Sequence, residues 1–431
     1  MAFAPDCLIR ARVIHPVAGA PLENGALLIS RGKVARFGRW SDFRRNPGSL
    51  PVWDLGESVV FPGFVNAHCH LDYSDMAGQI PTPANFPDWV KIIMAFKSGW
   101  TYSDYAFSWL RGARMLLNSG TTTVADIEAV PELLPEVLDA TPLRVFSFAE
   151  LTCVKTKRLP NEIVKEALGR IADLREFKSR LGLSPHAPYS TVPELLTLSA
   201  RASTKHRLPV AIHVGESKEE FEMFAQKRGI MFDWMRKSGR PMTDCDGRSP
   251  VEHVQLAGLL RKRTLLVHVN YVKESDPALI GKHGASVVHC PRSHVYFNHR
   301  AFPYAALRKA GVNLCLGTDS LATTRKKGRQ IPQLNMFKEM QAFLQDFPEV
   351  NPQEVLSMST AAGAKALGRK RDLGHLHAGA RADLASIPFK GSLKEAANAV
   401  VQYTGSVECV MLDGNWIIAP GAEPQPLATI Q

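Results

Sequence analysis

The chain has 431 residues, of which 45% are hydrophobic, and a formal net charge of +11. This length can bury a large core, so we expect one large α/β domain with an appendage or about two to three domains. The basic residues form short clusters without an arginine-rich tail, which argues against nucleic-acid binding. We find no secretory signal and no apolar stretch of about 18 residues, so we expect a cytoplasmic protein without a membrane partner.

Seven cysteines are scattered along the chain, and no two of them form a CxxC pair. This spacing does not suggest the disulfide framework of a small secreted domain, and it gives no support for a thiolate zinc site. We therefore expect reduced thiols.

Both ends of the chain alternate apolar and polar residues in short segments separated by Gly and Pro, a pattern typical of β-hairpins. Near the C-terminus, Asp413-Gly414 lies between two apolar runs and predicts a tight hairpin turn. We predict a small β-sandwich domain built from residues 1–57 and 366–431, flanking a central domain of residues 58–365. Its predicted strands are residues 7–14, 25–31, 34–37, 382–387, 407–412 and 416–418.

The central region repeats a unit in which a short apolar strand has a polar end and is followed by an amphipathic stretch. The predicted strands are residues 59–67, 121–125, 143–149, 180–184, 209–212, 264–267, 285–288 and 312–317. The predicted helices include residues 105–119, 162–178, 193–205, 277–283 and 304–310. Eight strand–helix units favour an α/β fold, the (β/α)8 TIM barrel, in which reactive groups lie at the C-terminal ends of the strands.

Reactive side chains occur where this barrel prediction expects them. Six of the 14 histidines terminate predicted strands, and a carboxylate follows the eighth strand. The first strand ends in two histidines spaced i, i+2, which project from one side of a strand and can hold one metal ion. Chance placement explains this distribution poorly. The residues are His68, His70, His186, His213, His268, His289 and Asp319.

Four of these side chains are assigned as ligands of one divalent metal ion. Histidine and carboxylate ligands on rigid strand ends, without thiolates, suit Zn²⁺, Fe²⁺ or Mn²⁺, and Zn²⁺ is the first choice. Coordination brings the pKa of a bound water toward about 7 and supplies hydroxide at neutral pH. Buried histidines capped by backbone carbonyls are the structural alternative, which explains all four together poorly. The assigned ligands are His68, His70, His213 and Asp319.

Three further assignments concern catalysis and substrate binding. Glu216 lies three residues past His213 and can carry a proton between water and leaving group, although the dipole of a helix beginning near Ser217 also favours a glutamate there. His268 is assigned to hold and polarise the attacking hydroxide, with a structural role as the alternative. His186 is assigned to the substrate and not to the metal.

The motifs PGFVNAHCH, SPHAPYS, HVGES, LVHVNYV, VVHCPRS and LGTDS together resemble the amidohydrolase superfamily, in its branch of mononuclear aminohydrolases and chlorohydrolases. That branch includes deaminases of adenosylhomocysteine and methylthioadenosine, of guanine and of aminodeoxyfutalosine, and also triazine hydrolases. The resemblance covers the whole barrel and the β-rich termini. It implies one metal held by the four assigned ligands, a proton shuttle at Glu216, His268 beside the hydroxide, and Asp319 as acceptor of the water proton.

Two details of the motifs refine this resemblance. The fourth strand ends in His186 without a lysine, so the carboxylated-lysine dinuclear site of dihydroorotase-like relatives is not expected. After the seventh strand, many relatives have Ser-Asn where this chain has Ser293-His294. His294 is therefore a candidate substrate contact that either reaches the pocket or caps its loop.

Three functions are compatible with these residues. The first is deamination of an amino-substituted heteroaromatic ring, in which hydroxide adds to the amino-bearing carbon and Glu216 protonates the ring nitrogen before ammonia leaves. The second is hydrolysis of a ring halide or a cyclic amide, and the third is a non-catalytic scaffold, which would have lost ligands. Glu216 with His268 favours deamination, because ammonia release needs a proton donor and chloride release does not. The relatives are commonly homo-oligomers, so a homo-oligomer is expected.

The segment after the first strand, residues 71–101, contains four aromatic side chains with two alternative roles. They either cover the pocket as a lid or belong to the core. Trp89 is the candidate substrate contact among them. The four are Phe86, Trp89, Phe96 and Trp100.

A basic loop, Arg325-Lys326-Lys327-Gly328-Arg329, follows the strand that precedes Asp319. It either borders the mouth of the pocket or is a solvated loop. At the mouth, its cations would attract an anionic substrate. The LGTDSLA form of the eighth motif resembles the aminodeoxyfutalosine deaminases more than the guanine deaminases. Together these observations favour an adenine nucleoside with an acidic appendage.

Overall fold

Two eight-stranded sheets organise the chain, one parallel and one mixed. The structure, a computed structural model, describes residues 5–44, 50–155, 158–174, 180–326 and 328–421. The strands are β1 (Cys7–Ile14), β2 (Leu22–Ser30), β3 (Lys33–Arg39), β4 (Val52–Asp54), β5 (Ser58–Pro62), β6 (Phe64–Cys69), β7 (Thr121–Glu128), β8 (Arg144–Leu151), β9 (Leu181–Pro185), β10 (Val210–Val214), β11 (Thr264–His268), β12 (Ser286–His289), β13 (Asn313–Leu316), β14 (Leu384–Pro388), β15 (Cys409–Leu412) and β16 (Asn415–Ile418).

Helices alternate with the barrel strands and continue after the last of them. The α-helices are α1 (Trp40–Arg44), α2 (Phe86–Lys97), α3 (Tyr102–Asn118), α4 (Leu134–Asp139), α5 (Pro160–Asp173), α6 (Pro193–His206), α7 (Lys218–Gln226), α8 (Ile230–Lys237), α9 (Pro250–Leu256), α10 (Asp276–His283), α11 (Pro291–Tyr296), α12 (Tyr304–Lys309), α13 (Met336–Asp346), α14 (Pro352–Met358), α15 (Ala361–Ala366) and α16 (Ala396–Val401). Short 3₁₀ helices occupy Leu71–Met76, Pro131–Leu133, Pro188–Ser190, Leu321–Thr323 and Leu393–Glu395.

The barrel consists of β6 to β13 in sequence order, with neighbouring strands parallel. Strands such as β10 and β11 are buried along their whole length, which suits their nearly continuous apolar sequence. The first and last strands meet where the backbone N–H groups of Thr318 and Asp319 donate to the carbonyl oxygen of His68, at 3.0 and 3.1 Å. The prediction of a (β/α)8 barrel is confirmed.

The first predicted barrel strand, residues 59–67, is wrong in extent because two strands share that sequence. β5 pairs with β1 and β14 in the mixed sheet, and only β6 belongs to the barrel. Between them, a Cβ atom at Gly63 would lie 2.3 Å from the Thr122 side chain, so this close approach requires glycine. Both strands are apolar and fully buried, which is why the sequence reads as one run. The division into domains at residues 57 and 366 stays a prediction.

The mixed sheet has the strand order β16-β15-β14-β5-β1-β2-β3, with β4 paired to β1. It therefore joins strands from both ends of the chain, as predicted. The hairpin predicted at Asp413-Gly414 is also present, because both residues have positive φ angles, +50° and +80°, and connect the antiparallel strands β15 and β16.

The predicted helices correspond to α3, α5, α6, α10 and α12, with shifted ends. α3 begins earlier than predicted because Thr101 and Asp104 form a capping box. The predicted helix at residues 162–178 corresponds to α5, and residues 175–178 lie outside the described part of the chain. All seven cysteines are free and buried. In the described residues, no helix has the length and apolar character needed to cross a membrane.

A buried ion-pair network joins the barrel to the mixed sheet. Arg144, at the start of β8, contacts Asp383 with both terminal nitrogens and lies 2.7 Å from the carboxylate of Asp413. Its side chain is 5% exposed. Asp383 precedes β14 and Asp413 lies in the β15–β16 turn, so one barrel residue holds two parts of the C-terminal segment.

Candidate active site

Five side chains meet at the C-terminal end of the barrel. They form two overlapping groups of three in which the potential ligand atoms all lie within 4.8 Å of one another. His68, His70 and His213 form one group, and His68, His268 and Asp319 form the other. His68 Nε2 lies 3.5 Å from Asp319 Oδ1, and His70 Nε2 lies 3.8 Å from the same oxygen. All five are buried.

The donor set of this cluster fits a divalent metal ion. The Nε2 atoms of His70 and His213 are 3.4 Å apart, which matches two nitrogens at about 2.0–2.1 Å from one tetrahedrally coordinated zinc ion. Within the described residues, both ring nitrogens of the buried His68 side chain lack a hydrogen-bond partner. Burial, with the neighbouring histidines, lowers the pKa of His70 and brings that of His213 to about 3. Neutral imidazoles of this kind are what metal binding requires.

Two neighbours orient the imidazole ligands. The Nδ1 atom of His213 lies 2.9 Å from the carbonyl oxygen of His186, and a hydrogen bond donated there leaves Nε2 free to bind a metal. The ring of His70 stacks on Tyr73, with ring centroids 5.2 Å apart and an interplanar angle of 8°. These contacts therefore orient the rings of His213 and His70.

The backbone is strained at two of the clustered residues. His268 has φ +73° and Asp319 has φ +54°, in the left-handed region that non-glycine residues rarely adopt. Val269, a β-branched residue, continues this conformation with φ +55°. Strain of this kind costs about 1–3 kcal/mol per residue and is typical of functional sites, where it aims a side chain that regular strand geometry would direct elsewhere.

Glu216 lies beside this cluster and is 5% exposed. Its Oε1 atom is 3.5 Å from His268 Nε2. Glu216 directly precedes Ser217, which caps α7, and its backbone N–H donates to the carboxylate of Glu220 at 2.9 Å. Burial raises the pKa of Glu216 well above its usual range, and the nearby carboxylates of Asp319 and Glu220 act in the same direction. Ionisation of this carboxyl group is therefore disfavoured.

His186 lies next to the cluster, with its ring centroid 4.8 Å from that of His213. Its Nδ1 atom is 2.6 Å from Ser190 Oγ, and its Nε2 atom is 3.7 Å from Glu150 Oε1. The side chain is 23% exposed and so lines the accessible part of the site. Burial, with the nearby Lys97 ammonium, lowers the pKa of His186 to about 4.

Trp89 lies on α2, above the strand ends, where its ring packs on Phe86 and meets Phe297 edge-on. Phe86 also contacts Tyr189, whose ring lies 5.8 Å from that of His186. Because Tyr189 and Phe297 follow different barrel strands, α2 extends across the catalytic face. Phe96 and Trp100, and Trp89 with them, pack against core residues that include Tyr73 and Met76. The segment after the first strand thus contains both a cover and a core element.

His294 is buried and linked to Glu216 through Asn270. Its Nδ1 atom lies 3.1 Å from Asn270 Oδ1, and the Asn270 amide group donates to the backbone carbonyl of Glu216 at 3.0 Å. Its ring also neighbours His289, which is stacked on Phe302. These contacts do not test the assignment of His294 as a substrate contact, which stays a prediction.

The amidohydrolase family profile matches residues 59–417, which include the whole barrel. The chain belongs to the amidohydrolase family. This membership confirms the superfamily resemblance and the prediction of a hydrolase acting on carbon–nitrogen bonds.

Two similar proteins are nucleoside deaminases by name. The 5-methylthioadenosine/S-adenosylhomocysteine deaminase of Nitratidesulfovibrio vulgaris (strain Hildenborough) is 27% identical to this chain over 398 residues, covering 89% of this chain and 84% of that protein. The 5'-deoxyadenosine deaminase of Methanoregula boonei is 29% identical over 397 residues, covering 86% and 83%.

Solved structures share the fold of this amidohydrolase. The Helicobacter pylori aminofutalosine deaminase in complex with methylthio-coformycin has a TM-score of 0.83 at 20% identity and covers 96% of this chain and 100% of its own. An adenosine deaminase from Xanthomonas campestris with bound zinc has a TM-score of 0.81 at 23% identity, with 95% and 92% covered. At these identities the likeness concerns the fold.

The sequence analysis of this amidohydrolase missed three polar residues near the pocket. Glu150 is the penultimate residue of the third barrel strand, so the strand-end rule that selected His213 could have found it. Lys97, the last residue of α2, donates to the hydroxyl group of Tyr73 and lies 4.6 Å above its ring. Asp72 is buried, which raises its pKa to about 7. No sequence signal places Lys97 here, because its position depends on how α2 folds back over the barrel.

Proposed function

We propose that this amidohydrolase deaminates an adenine-type nucleoside by replacing the exocyclic amine with a hydroxyl group. The observation that carries the proposal is the buried Glu216 carboxyl group, 3.5 Å from His268 and next to a cluster of potential metal ligands. Chloride release needs no such proton donor, whereas ammonia release does. The relatives named as nucleoside deaminases, which align over more than four fifths of the chain, support the same reaction.

We propose one divalent metal ion as the cofactor, with zinc as the first choice and Fe²⁺ and Mn²⁺ as the alternatives. His68, His70, His213 and Asp319 would hold it. The ion, when bound, supplies Lewis-acid activation of water. The spacing of the imidazole nitrogens supports this ligand set, and the zinc bound to the Xanthomonas campestris deaminase supports the choice of metal.

The protein's own residues then handle the protons. Glu216, whose ionisation burial disfavours, can donate to the ring nitrogen next to the amino-bearing carbon as water adds. Asp319, which belongs to the ligand cluster together with His68 and His268, is the candidate acceptor of the proton lost by the water. His268 faces Glu216 and can hold the water by a hydrogen bond. α2 above the site excludes bulk water, which strengthens each of these interactions.

The finer proposal is that the substrate carries an acidic appendage, as in aminodeoxyfutalosine. Arg325 and Lys326 are exposed, and Arg325 donates to the backbone of Tyr296 at 3.1 Å, in the loop after β12. A Cβ atom at Gly78 would meet the Lys326 side chain, so Lys326 also lies on the loop after β6. These contacts support a basic rim at the mouth of the pocket. Lys327 lies outside the described residues.

Ammonia release measured against a purine panel tests the reaction. The panel contains adenosine, methylthioadenosine, S-adenosylhomocysteine, 5'-deoxyadenosine and a carboxylate-bearing adenine nucleoside, with 6-chloropurine riboside as the halide substrate. We expect ammonia from at least one adenine nucleoside and a smaller kcat/KM for the chloro compound. Chloride release without ammonia release would favour the chlorohydrolase alternative. A metal-loaded protein inactive on the whole panel would contradict the proposal.

We also propose a cytoplasmic homo-oligomer. The seven free, buried cysteines are consistent with a reducing compartment, where such thiols persist. Light scattering of the purified protein and fractionation of cells test the two statements separately. A monomeric mass would contradict the first, and recovery outside the cytoplasmic fraction would contradict the second.

A further inference from the structure

The site contains a polar gap that the proposed reaction does not use. It lies between Glu150, near the end of β8, and His186, which follows β9. Glu150 Oε1 and His186 Nε2 are 3.7 Å apart, which is too far for a direct hydrogen bond. Their side chains are 14% and 23% exposed, so a ligand in the pocket can reach both.

Hydrogen bonding around His186 determines which groups the gap can accept. The hydroxyl oxygen of Ser190 lies 3.2 Å from the carbonyl oxygen of Ala187 and 2.6 Å from His186 Nδ1. In one tautomer of His186, Nδ1–H donates to Ser190 and Nε2 is an acceptor, whereas in the other the Ser190 hydroxyl group donates to Nδ1 and Nε2–H is a donor toward the gap. The carboxylate oxygens of Glu150 accept hydrogen bonds. A hydroxyl group both donates and accepts, so it can bind between Glu150 and either tautomer of His186.

The gap is also placed where the non-reacting part of a nucleoside would lie. The ring of His186 lies next to the ring of His213, with centroids 4.8 Å apart. His213 belongs to the cluster where the base must react. Glu150 approaches the Nε2 atom of His186. A nucleoside whose base occupies the cluster can therefore place its sugar beside these two side chains.

We propose that Glu150 and His186 form a subsite for the sugar hydroxyl groups, and that Glu150 selects ribosides over deoxyribosides. The inference rests on the proposed function in that it takes a nucleoside as the ligand. A carboxylate can accept from two adjacent hydroxyl groups, and hydrogen bonds to a charged acceptor are stronger than those between neutral groups. Loss of one hydroxyl group leaves part of this acceptor without a partner, which penalises the deoxy compound.

The test compares kcat/KM for adenosine, 2′-deoxyadenosine and 3′-deoxyadenosine in the metal-loaded full chain and in Glu150→Gln and Glu150→Ala. The control is Glu274→Gln, the same chemical change at an exposed position in the loop after β11. We expect the parent and the control to prefer adenosine by about 10- to 100-fold. In Glu150→Ala this preference should fall to within about threefold, with kcat/KM for the deoxy compounds nearly unchanged. Glu150→Gln, which retains one acceptor oxygen, should fall between.

A binding measurement separates this inference from the proposed reaction. Calorimetry with inosine and 2′-deoxyinosine reports sugar recognition without turnover, and tighter inosine binding that depends on Glu150 supports the subsite even if no adenine nucleoside is deaminated. Three results would overturn the inference: equal turnover of ribosides and deoxyribosides by the parent, a Glu150→Ala variant that loses activity on all three in equal proportion, or inosine binding that does not depend on Glu150. The first two leave the deaminase proposal intact.

Discussion

At the scale of single residues, Glu216 illustrates how position converts an ordinary carboxyl group into a proton carrier. The residue is placed between a strand end and a helix cap, where its backbone is fixed by Glu220 and Asn270. Its side chain is buried among other carboxylates, so ionisation is disfavoured. The sequence predicted this residue because its spacing from His213 is local. The raised pKa depends first on burial and then on Asp319, about a hundred positions away, and both conditions arise only when the barrel closes.

Replacing Glu216 with glutamine should keep the metal and lose most of the turnover. The amide has the same shape but cannot transfer the proton, a contribution worth about 10²- to 10⁴-fold in kcat. The measurement is kcat together with metal content by elemental analysis. Activity within about threefold of the parent would remove Glu216 from the mechanism.

Removing one metal ligand at a time should lower the metal content. In His68→Ala, His213→Ala and Asp319→Ala, the three remaining ligands form a weaker and misdirected site. The parent should bind about one ion per chain, and His206→Ala, an exposed histidine on α6, should retain it. Elemental analysis after dialysis measures the stoichiometry. Full metal content in all three ligand variants would refute the assignment.

The polar residues that the sequence analysis missed show where such reasoning stops. The rule that reactive groups lie at barrel strand ends selected six histidines and Asp319, and it applies equally to Glu150, which was overlooked because a lone glutamate has no distinctive spacing. Lys97 and Tyr73 follow no such rule. Their contact arises because the segment after β6 returns across the barrel mouth. The local sequence pattern does not encode this tertiary arrangement.

At the scale of elements, four loops on the catalytic face are linked to one another. α2 contacts residues that follow β9 and β12, and the hydroxyl group of Tyr296 donates to the carbonyl oxygen of Pro81 at 3.1 Å. Arg325 donates to the backbone of Tyr296, so the loop after the last barrel strand joins the same group. The cover and the basic loop are therefore parts of one connected rim.

The basic rim should make the capture of an acidic substrate depend on salt. Cations at a pocket mouth raise the on-rate of an anion, and the effect falls as ionic strength rises. We expect kcat/KM for a carboxylate-bearing adenine nucleoside to fall by about tenfold between low and high salt, with little change for methylthioadenosine. Lys326→Gln together with Arg329→Gln should reduce this difference.

The comparison of the two substrates serves as its own control, because general salt effects on the enzyme act on both. Equal salt dependence would remove the basic loop from substrate selection while leaving deamination intact. Preference for methylthioadenosine at every ionic strength would contradict the acidic appendage.

At the scale of the whole molecule, the barrel and the mixed sheet are held together by a buried charge network at Arg144. Its two carboxylate partners belong to the C-terminal segment, more than 200 positions away, and the sequence contains no sign of this pairing. The composite arrangement was nevertheless predictable, because both ends carry the same β-hairpin pattern and the middle of the chain does not.

Replacing Arg144 with alanine should destabilise the whole protein. The change leaves the buried Asp383 carboxylate without its partner, which costs about 3–5 kcal/mol. The matched control is Arg111→Ala, since Arg111 pairs with Asp75 at 2.7 Å but is 50% exposed, and its loss should cost less than about 1 kcal/mol. Urea unfolding measures both. An Arg144→Ala variant as stable as the control would show that the network contributes little.

The order of strands in the mixed sheet also constrains how the protein is made. β5 leads through Gly63 directly into β6, the strand that carries His68, and its neighbours in the sheet are β1 and β14. During synthesis on a ribosome, β1 and β5 emerge early, but β14 follows more than 300 residues later. One edge of β5 therefore stays unpaired until the chain is nearly finished, and an unpaired edge is a template for association with other chains. Nascent protein should thus be most prone to aggregation just before its last strands are translated.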